Sequence, residues 1–332
     1  MEKVNFPNSR KKASRIGLGT WAIGEWMWGP QNKDDSINTV KSALDKEITV
    51  IDTAPAYGFG KSERIIGQAL EEYGGREDII IATKVCIEWD KKGNVYRNGS
   101  KERIFVEIED SLERLKTDYI DLYQVHWPDP LVPIKETAEA MNKLYEDGLI
   151  KAIGVSNYST DQMDEFRKYA PLHSCQPPYN LFERQIEYDI LPYCKKNGIY
   201  LLTYGALCRG MLTGKMSKER EFKGDDLRKI DPKFQDPRFG QYLNAVEMLK
   251  DFAKQNYEKE IITLAVRWIL DQGVETALWG ARKPNQVEPF EEVSNWNLDD
   301  NDLKKIDYII TKNIKNPIGP EFMAAPTREQ LD

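Results

Sequence analysis

Four residues in the first part of the chain have side chains that together could protonate a carbonyl oxygen. They are Asp52, Tyr57, Lys84 and His126, and each stands at or just after the end of a short apolar run. A tyrosine hydroxyl has a reference pKa of about 10, and a neighbouring ammonium group lowers that value. Lys84 can supply the ammonium group, and Asp52 can keep it charged. With an imidazole to hold the substrate, these residues predict a general-acid site for carbonyl reduction.

The apolar runs that precede these residues belong to a regular alternation of predicted strands and helices. Eight strands are predicted, near residues 14–18, 48–51, 79–82, 119–125, 152–155, 174–176, 199–203 and 275–278. Amphipathic helical patterns of crossover length lie between them, at residues 34–47, 62–73, 101–115, 134–146, 161–169 and 184–196. Such alternation is typical of a parallel sheet, and eight strands close a barrel. The sequence therefore predicts an α/β fold of the (β/α)8 TIM-barrel type.

One domain over residues 1–332 is the expected organisation. Closed barrels commonly run to about 250 residues or more as one unit, and no linker, low-complexity tract or charge block divides this chain. Two irregular segments interrupt the alternation: a long loop after the seventh strand, at residues 206–240, and a C-terminal tail after residue 310. Long loops in compact domains are usually lids or binding loops. The C-terminal tail has two alternative interpretations: it closes over a pocket, or it is a frayed terminus.

Composition excludes several classes of function. The net charge of −7 argues against a general nucleic-acid-binding surface, and no stretch approaches the about 20 apolar residues that span a bilayer. The start of the chain lacks the apolar core of a signal peptide, which favours a cytoplasmic location. No metal site is expected, because the cysteines are not spaced as metal ligands are, and we interpret them as reduced thiols. They are Cys86, Cys175, Cys194 and Cys208. The oligomeric state is not predictable from these features.

Longer motifs around the same residues carry a family resemblance. The strings IDTAPAYG, GVSNY and YGALCRGMLTGK, together with IGLGTW, DLYQVH and GARKPNQ, resemble the aldo-keto reductase family over nearly the whole chain. Within that family, HWPDP, QPPYN and WGARKP are most similar to the bacterial general-stress and inositol-operon-type branch. The resemblance implies a barrel that binds a nicotinamide cofactor without a Rossmann fold. It also implies reduction of small-molecule carbonyl compounds.

The resemblance implies a role for each residue of the site. Tyr57 would donate the proton, Lys84 and Asp52 would tune it, and His126 would orient the carbonyl. The implied cofactor-binding residues are Thr20, Trp21, Asp52, Ser156, Asn157, Gln176, Tyr204, Gly205, Ala206, Leu207, Cys208, Arg209, Gly280, Ala281, Arg282 and Gln286. Of these, Ser156, Asn157 and Gln176 would bind the nicotinamide amide, and Tyr204 would stack on the nicotinamide ring. Residues 207–209 would contact the pyrophosphate, and residues 280–282 with Gln286 would hold the adenosine. The expected substrate pocket comprises Trp21, Trp28, Tyr57, His126 and Trp127.

Two charged residues after the eighth predicted strand bear on whether the cofactor carries a 2′-phosphate. Arg282 and Lys283 stand together before a predicted helix that begins at Pro284. Two cations and a helix N-terminus suit a 2′-phosphate, so NADPH (oxidised form NADP) is the expected cofactor. The string at residues 17–22, GLGTWA, fits a dinucleotide fingerprint, but the residues that follow cannot form the helix which that motif requires. The Rossmann interpretation is therefore rejected.

The leading hypothesis is an NADPH-dependent oxidoreductase that reduces small aldehydes, ketoaldehydes or sugar-derived carbonyls, or runs in the oxidative direction on polyols or sugars. A second hypothesis makes Lys84 a Schiff-base nucleophile, as in barrel aldolases. A third makes the chain a cofactor-sensing binding subunit without catalysis. Taken singly, Asp52 is more often a helix cap and Lys84 a solvated cation. Their joint occurrence with Tyr57 and His126 at successive strand ends favours catalysis.

Overall fold

Eight parallel strands form a closed barrel in this computed structural model, which describes residues 1–331. The barrel strands are β3 (Ile16–Gly19), β4 (Val50–Asp52), β5 (Ile80–Val85), β8 (Leu122–Val125), β9 (Ile153–Ser156), β10 (Ser174–Gln176), β11 (Tyr200–Thr203) and β12 (Thr276–Gly280). Each barrel strand pairs with the next barrel strand along the chain, so that β5 pairs with β8, and β12 pairs with β3 to close the barrel. The predicted (β/α)8 barrel in a single domain is confirmed.

The period-two alternation of the strands divides the apolar residues between two cores. In β5, Ile80 and Ala82 belong to the core inside the barrel, whereas Ile81 and Val85 pack under the surrounding helices. Because successive side chains of a strand point to opposite faces, Lys84 continues the inward row of Ile80 and Ala82. The strand therefore delivers a lysine to the barrel interior, close to the carboxyl end where the loops meet.

Nine α-helices surround the barrel or follow it. They are α1 (Lys33–Asp45), α2 (Lys61–Tyr73), α3 (Lys101–Leu115), α4 (Ile134–Glu146), α5 (Thr160–Phe166), α6 (Ile190–Asn197), α7 (Arg238–Tyr257), α8 (Ile261–Asp271) and α9 (Asp300–Asn313), all within residues 1–331. In α3, the Ser100 side chain caps the first turn, and Lys116 ends the helix in a left-handed conformation with φ of 54°. Ile104, Ile108 and Leu115 recur at helical spacing and are buried against the barrel.

Two hairpins and one short helix differ from the predicted pattern. The first unpredicted hairpin pairs β1 (Lys3–Asn5) with β2 (Lys12–Ser14), and its Phe6 packs into the core inside the barrel at the end opposite the mouth. The second pairs β6 (Ile87–Trp89) with β7 (Val95–Arg97) beside the mouth. A helix begins at Pro284 as predicted, but it is the short 3-10 helix Pro284–Gln286, followed by a second 3-10 helix at Glu288–Val293. A continuous α-helix does not form, because Pro289 has no N–H with which to bond the carbonyl of residue 285.

The long loop after β11 is held to the barrel by a buried ion cluster. Arg209 Nε donates to Asp231 Oδ2 at 2.8 Å, and Lys233 Nζ donates to Glu183 Oε1 at 2.9 Å. Lys233 also donates to the carbonyl of Gly319 at 3.0 Å, so the same cluster reaches the C-terminal tail. The tail therefore lies on the barrel mouth. Within residues 1–331, no helix is long and apolar enough to cross a membrane.

Candidate active site

Lys84 is the centre of a buried group of hydrogen bonds at the barrel mouth. Its Nζ donates to Asp52 Oδ1 at 2.6 Å, to the carbonyl of Thr53 at 2.9 Å and to the Tyr57 hydroxyl at 3.3 Å. Burial lowers the pKa of Lys84, whereas the Asp52 and Glu63 carboxylates favour its charged form. A lysine that is fully buried and already shared among three acceptors offers little support for the Schiff-base hypothesis.

Tyr57 stands between Lys84 and the indole of Trp21. The two rings of Tyr57 and Trp21 are stacked, with centroids 5.8 Å apart and an interplanar angle of 18°. Burial, and then the Asp52 carboxylate, raise the pKa of Tyr57 well above its usual value. This direction is opposite to the expected lowering by Lys84, because the hydroxyl is removed from water and the Asp52 carboxylate disfavours the phenolate. Tyr57 is thus held in its protonated form, which is the form that can donate a proton.

His126 faces the Tyr57 ring edge-on, with ring centroids 5.8 Å apart. Burial and the Lys84 ammonium lower the pKa of His126 well below its usual value. Its imidazole is therefore neutral near pH 7 and can donate one N–H hydrogen bond without adding a charge. Together with Tyr57, it places two donors on the same side of the cavity, where a carbonyl oxygen can accept from both.

Two glutamine side chains complete the buried surroundings of Asp52. Gln176 Nε2 donates to Asp52 Oδ2 at 2.7 Å and to Gln124 Oε1 at 3.3 Å. Gln124 Nε2 lies 3.4 Å from the same carboxylate oxygen. Because the amide nitrogen of Gln176 is used by Asp52, its amide oxygen is the group that it can offer to a ligand. Sequence reasoning did not include Gln124 among the site residues. Its position two residues before His126 could have indicated it, because side chains two residues apart on a strand point to the same face.

The residues expected to bind a nicotinamide amide lie together on the opposite side of the cavity. Ser156 Oγ donates to the carbonyl of Gln176 at 2.7 Å, and the Tyr204 hydroxyl donates to Asn157 Oδ1 at 2.9 Å. Asn157 adopts a left-handed conformation with φ of 60°, which asparagine tolerates well, and its Nδ2 donates to the carbonyl of His126. All four side chains line one cavity with Tyr57. Their arrangement fits an amide group and a flat ring.

The turn expected at the cofactor pyrophosphate follows Tyr204. It comprises Gly205, Ala206, Leu207, Cys208 and Arg209, and both Cys208 and Arg209 have positive φ angles, of 46° and 52°. Cys208 is buried, and the guanidinium of Arg209 is directed into the ion cluster with Glu183 and Asp231. The N–H of Cys208 already donates to the carbonyl of Gly205, so the other backbone N–H groups of this turn are what remains for a phosphate. The cofactor contacts of this turn stay a prediction.

The expected adenosine end lies at the carboxyl end of β12. Gly280 is exposed and Ala281 is buried, and Gln286 Oε1 accepts hydrogen bonds from the backbone N–H groups of Arg282 and Lys283. Arg282 Nη1 donates to the carbonyl of Trp28 at 2.8 Å, which joins this end of the barrel to the first loop. Since no long helix begins at Pro284, the two cations alone carry the argument for a 2′-phosphate. Thr20 lies deeper, where its hydroxyl donates to the carbonyl of Asp52.

The first loop brings Trp21 and Trp26 to the cavity, along with Trp127 from the loop after β8. Trp28 does not line this cavity; it packs edge-on against Trp21, and the Arg228 guanidinium lies over its ring. The intervening Met27 has φ of 63°, and this reversal of the chain turns Trp28 away. The sequence pattern could not show this reversal, because methionine rarely adopts such an angle.

A pair of glycines lets the first loop approach the loop that carries Tyr57. A Cβ atom on Gly24 would lie 2.4 Å from the carbonyl oxygen of Tyr57, and one on Gly58 would lie 2.0 Å from the carbonyl oxygen of Gly24. Neither distance is possible for a side chain, so only glycine allows the two backbones to touch. This contact places Trp21 against Tyr57.

The fold and the site define a barrel protein that can hold a small carbonyl compound and a flat amide-bearing ring beside a buried tyrosine acid. The chain matches the Aldo/keto reductase family over residues 15–311 and belongs to that family. The family reduces carbonyl compounds, and the recognition made from the sequence motifs is confirmed. The predicted roles of the individual site residues remain predictions.

Several known proteins are similar to this chain. Aldo-keto reductase YhdN of Bacillus subtilis (strain 168) is 58% identical over 332 residues, which is 100% of both chains. The NADH-specific methylglyoxal reductase of Escherichia coli (strain K12) is 36% identical over 91% of this chain and 96% of its own length.

Solved structures show the same architecture. The glycerol dehydrogenase AKR11B4 from Gluconobacter oxydans superimposes with a TM-score of 0.89 at 49% identity, over 97% of this chain and 99% of that one. An aldo/keto reductase from Klebsiella pneumoniae in complex with NADP and acetate superimposes with a TM-score of 0.71 at 26% identity, over 92% and 94% of the two chains.

Proposed function

We propose that this protein is an NADPH-dependent reductase of aldehydes and ketones, in which Tyr57 donates the proton to the carbonyl oxygen. Small aldehydes, ketoaldehydes and sugar-derived carbonyls are the substrates within its chemistry, and polyols or sugars are substrates for the reverse direction. The single observation that carries the proposal is the position of the Tyr57 hydroxyl, which lies 3.3 Å from Lys84 Nζ in a cavity that also contains His126.

Each residue of the site has a definite task in this proposal. The nicotinamide, when bound, supplies the hydride for the carbonyl carbon. Tyr57 and neutral His126 bind the carbonyl oxygen, which gains negative charge as it is reduced. Tyr57 then gives up its proton, and the Lys84 ammonium stabilises the phenolate that results. Asp52 holds Lys84 in place through the 2.6 Å ion pair.

The cofactor assignment rests on the side chains that are available. Gln176 can accept from an amide N–H, because its own nitrogen is used by Asp52, and Tyr204 can stack on the ring. Arg282 and Lys283 favour the 2′-phosphate of NADPH, and the Klebsiella structure contains NADP. The Escherichia coli relative is named as NADH-specific, and the ratio of kcat/KM for NADPH to that for NADH tests the preference of this protein. A cytoplasmic location belongs to the same proposal, since all four cysteines are free thiols in residues 1–331.

Replacement of the proton donor tests the proposal. Tyr57→Phe keeps the ring that stacks on Trp21 but removes the hydroxyl, and we expect kcat to fall by about 100- to 10,000-fold. Cofactor affinity, measured by quenching of tryptophan fluorescence, should change little. Tyr188→Phe is the matched control, because the Tyr188 side chain is 89% exposed and does not line the cavity. Full activity of Tyr57→Phe, followed through NADPH absorbance, would show that Tyr57 is not the donor.

A further inference from the structure

The cavity above Tyr57 has a floor and a wall of different origin. The floor consists of side chains at or just after the ends of barrel strands, together with the pair of Asp52 and Lys84 beneath them. The floor residues that line the cavity are Tyr57, His126, Ser156, Asn157, Gln176 and Tyr204. The wall consists of loop and tail residues, represented by Trp26, Val95, Trp127, Leu227 and Phe322. Gln124 lies beneath the floor, fully buried, and does not line the cavity, so it can act only through the residues that it contacts.

Strand pairing places Gln124 in the barrel interior beside Lys84. Gln124 on β8 lies opposite Lys84 on β5 and opposite Gly154 on β9. A Cβ atom on Gly154 would lie 2.8 Å from Gln124 Cγ, a distance that side-chain carbons do not adopt. Glycine at this position therefore leaves the space that the side chain of Gln124 occupies.

The Asp52 carboxylate determines how two glutamine side chains are turned. Its Oδ1 accepts from Lys84 Nζ at 2.6 Å. Its Oδ2 accepts from the Nε2 atoms of Gln176, at 2.7 Å, and of Gln124, at 3.4 Å. Because an ionised carboxylate can only accept hydrogen bonds, both amides must direct their nitrogen atoms toward it. The amide oxygen of Gln124 is then free to accept from Gln176 Nε2, at 3.3 Å.

Both N–H groups of the Gln176 amide are consequently held beneath the floor. One donates to Asp52 and the other to Gln124, and a side-chain amide has only two. The amide oxygen of Gln176 is left for the cavity that this side chain lines. If the Gln176 amide turned over, its oxygen would meet the acceptor atoms of Asp52 and Gln124 with no proton between them. Gln124 therefore adds a second restraint on the orientation of Gln176.

We propose that Gln124 is a positioning residue for cofactor binding, which holds the amide oxygen of Gln176 toward an N–H donor on the nicotinamide ring. The inference rests on the proposed use of a nicotinamide cofactor and adds a residue to it. A ring carboxamide has N–H groups that this oxygen can accept, whereas a ring ketone would bring an acceptor to an acceptor. The site is therefore expected to distinguish the two groups.

Two cofactors that differ in this one group test the selection. NADP carries a carboxamide on its ring, and the 3-acetylpyridine analogue of NADP carries a methyl ketone of similar size. Binding of each is measured by quenching of tryptophan fluorescence, without turnover. We expect the wild-type protein to bind NADP more tightly by on the order of 10-fold, the size of effect that one hydrogen bond produces.

The outcomes for the wild-type protein separate this inference from the proposed function. Equal dissociation constants for NADP and the analogue would overturn the role of Gln124, while reduction of aldehydes with NADPH would still support the proposed function. If neither NADP nor NADPH binds, the proposed function is overturned, and the inference fails with it.

Replacement of Gln124 distinguishes positioning from packing. Gln124→Met keeps the length of the side chain and nearly its volume, but it removes the oxygen that accepts from Gln176. Gln176 can then turn an N–H toward the cavity, and we expect the preference for NADP over the analogue to fall by at least about 3-fold. A loss of packing alone would weaken both cofactors equally. An unchanged ratio of the two dissociation constants in Gln124→Met would overturn the proposal.

Gln124→Glu restores the acceptor with a different chemical group. A carboxyl group buried beside Asp52 takes up a proton, because burial and the neighbouring carboxylate both disfavour its charged form. The protonated group can donate to Asp52 through its O–H and accept from Gln176 through its carbonyl oxygen, as the glutamine does. We expect the wild-type preference for NADP in this variant. If the preference is lost in Gln124→Glu as it is in Gln124→Met, hydrogen bonding to Gln176 is not its origin.

Ser174→Ala is the matched control inside the barrel. Ser174 is fully buried and lies two residues before Gln176 on β10, so both side chains point to the same face of the strand. Its hydroxyl has no hydrogen-bond partner among residues 1–331, and it does not line the cavity. We expect Ser174→Ala to keep the wild-type preference for NADP. A fall as large as that of Gln124→Met would mean that any change in the barrel interior has this effect, and it would overturn the role of Gln124.

Discussion

The floor and the wall of the cavity are built by different means. The floor is carried by barrel strands and the residues directly after them, and its charged groups are satisfied within a few ångströms, as the 2.6 Å pair of Lys84 and Asp52 shows. The wall is carried by loops and by the C-terminal tail, and the ion pairs that hold it lie outside the cavity. In the proposed function, chemistry therefore depends on the barrel strands, whereas substrate choice depends on segments whose position is set by distant ion pairs.

The largest expected effect comes from the floor. Lys84→Met removes the ammonium that stabilises the Tyr57 phenolate, and we expect kcat to fall by about 100- to 10,000-fold. Stopped-flow measurement of NADPH oxidation at saturating aldehyde checks the loss, and fluorescence titration checks that cofactor still binds. If Lys84→Met keeps a tenth of wild-type kcat, Lys84 does not take part in the proton transfer.

The next effect concerns the ion cluster that anchors the wall. Glu183→Gln leaves Arg209 and Lys233 buried with Asp231 as their one remaining carboxylate among residues 1–331, and we expect a loss of about 3–5 kcal/mol in the free energy of unfolding. Urea denaturation followed by circular dichroism measures this loss. The exposed pair of Lys143 and Asp147 supplies a control, because Asp147→Asn should leave the midpoint unchanged. Equal midpoints for the two variants would mean that the cluster does not stabilise the fold.

The same carboxylate predicts a pH dependence of stability. Despite its burial, the pairing of Glu183 with Arg209 and Lys233 lowers its pKa to about 2. Because the folded-state pKa lies below the unfolded value of about 4.3, the stabilisation is complete above that value and is lost as pH falls toward 2. Urea midpoints across this range should decline more steeply for wild type than for Glu183→Gln. Parallel curves would contradict the assignment.

The smallest effect tests the outer anchor of the tail. Arg328→Gln breaks the pair with Asp129 at the partly exposed end of the wall, and we expect KM for an aromatic aldehyde to rise by about 2- to 5-fold with kcat unchanged. The KM of acetaldehyde, which is too small to reach the tail, is the internal reference. A fall in kcat with constant KM would instead assign Arg328 to the floor.

Sequence reasoning predicted the floor much better than the wall. The eight strands appear where the periodicity placed them, and β10 begins and ends at the predicted residues. Asp52, Tyr57, Lys84 and His126 meet because the carboxyl ends of parallel strands share one mouth. The wall residues Val95, Leu227 and Phe322 carry no comparable periodic signal, because hairpins, long loops and tails have no fixed repeat.

Two differences show where local patterns are insufficient. Trp28 was expected in the substrate pocket, but the positive φ of Met27 brings Trp26 there instead. The pKa of Tyr57 was expected to fall beside Lys84, but burial and Asp52 raise it. Each result depends on how the chain is enclosed by distant segments, which neighbours in the sequence do not reveal.

The amino-acid sequence by itself determined the barrel, the row of chemical groups at its strand ends and the family to which the chain belongs. These follow from strand periodicity and from motifs only a few residues long. Only the tertiary structure decided that no charged side chain of residues 1–331 lines the cavity above Tyr57 and that Lys233 and Arg328 anchor its wall. The physical reason is that burial and pairing of charges join segments that are distant in the chain, as for Asp129 and Arg328, which are 199 residues apart.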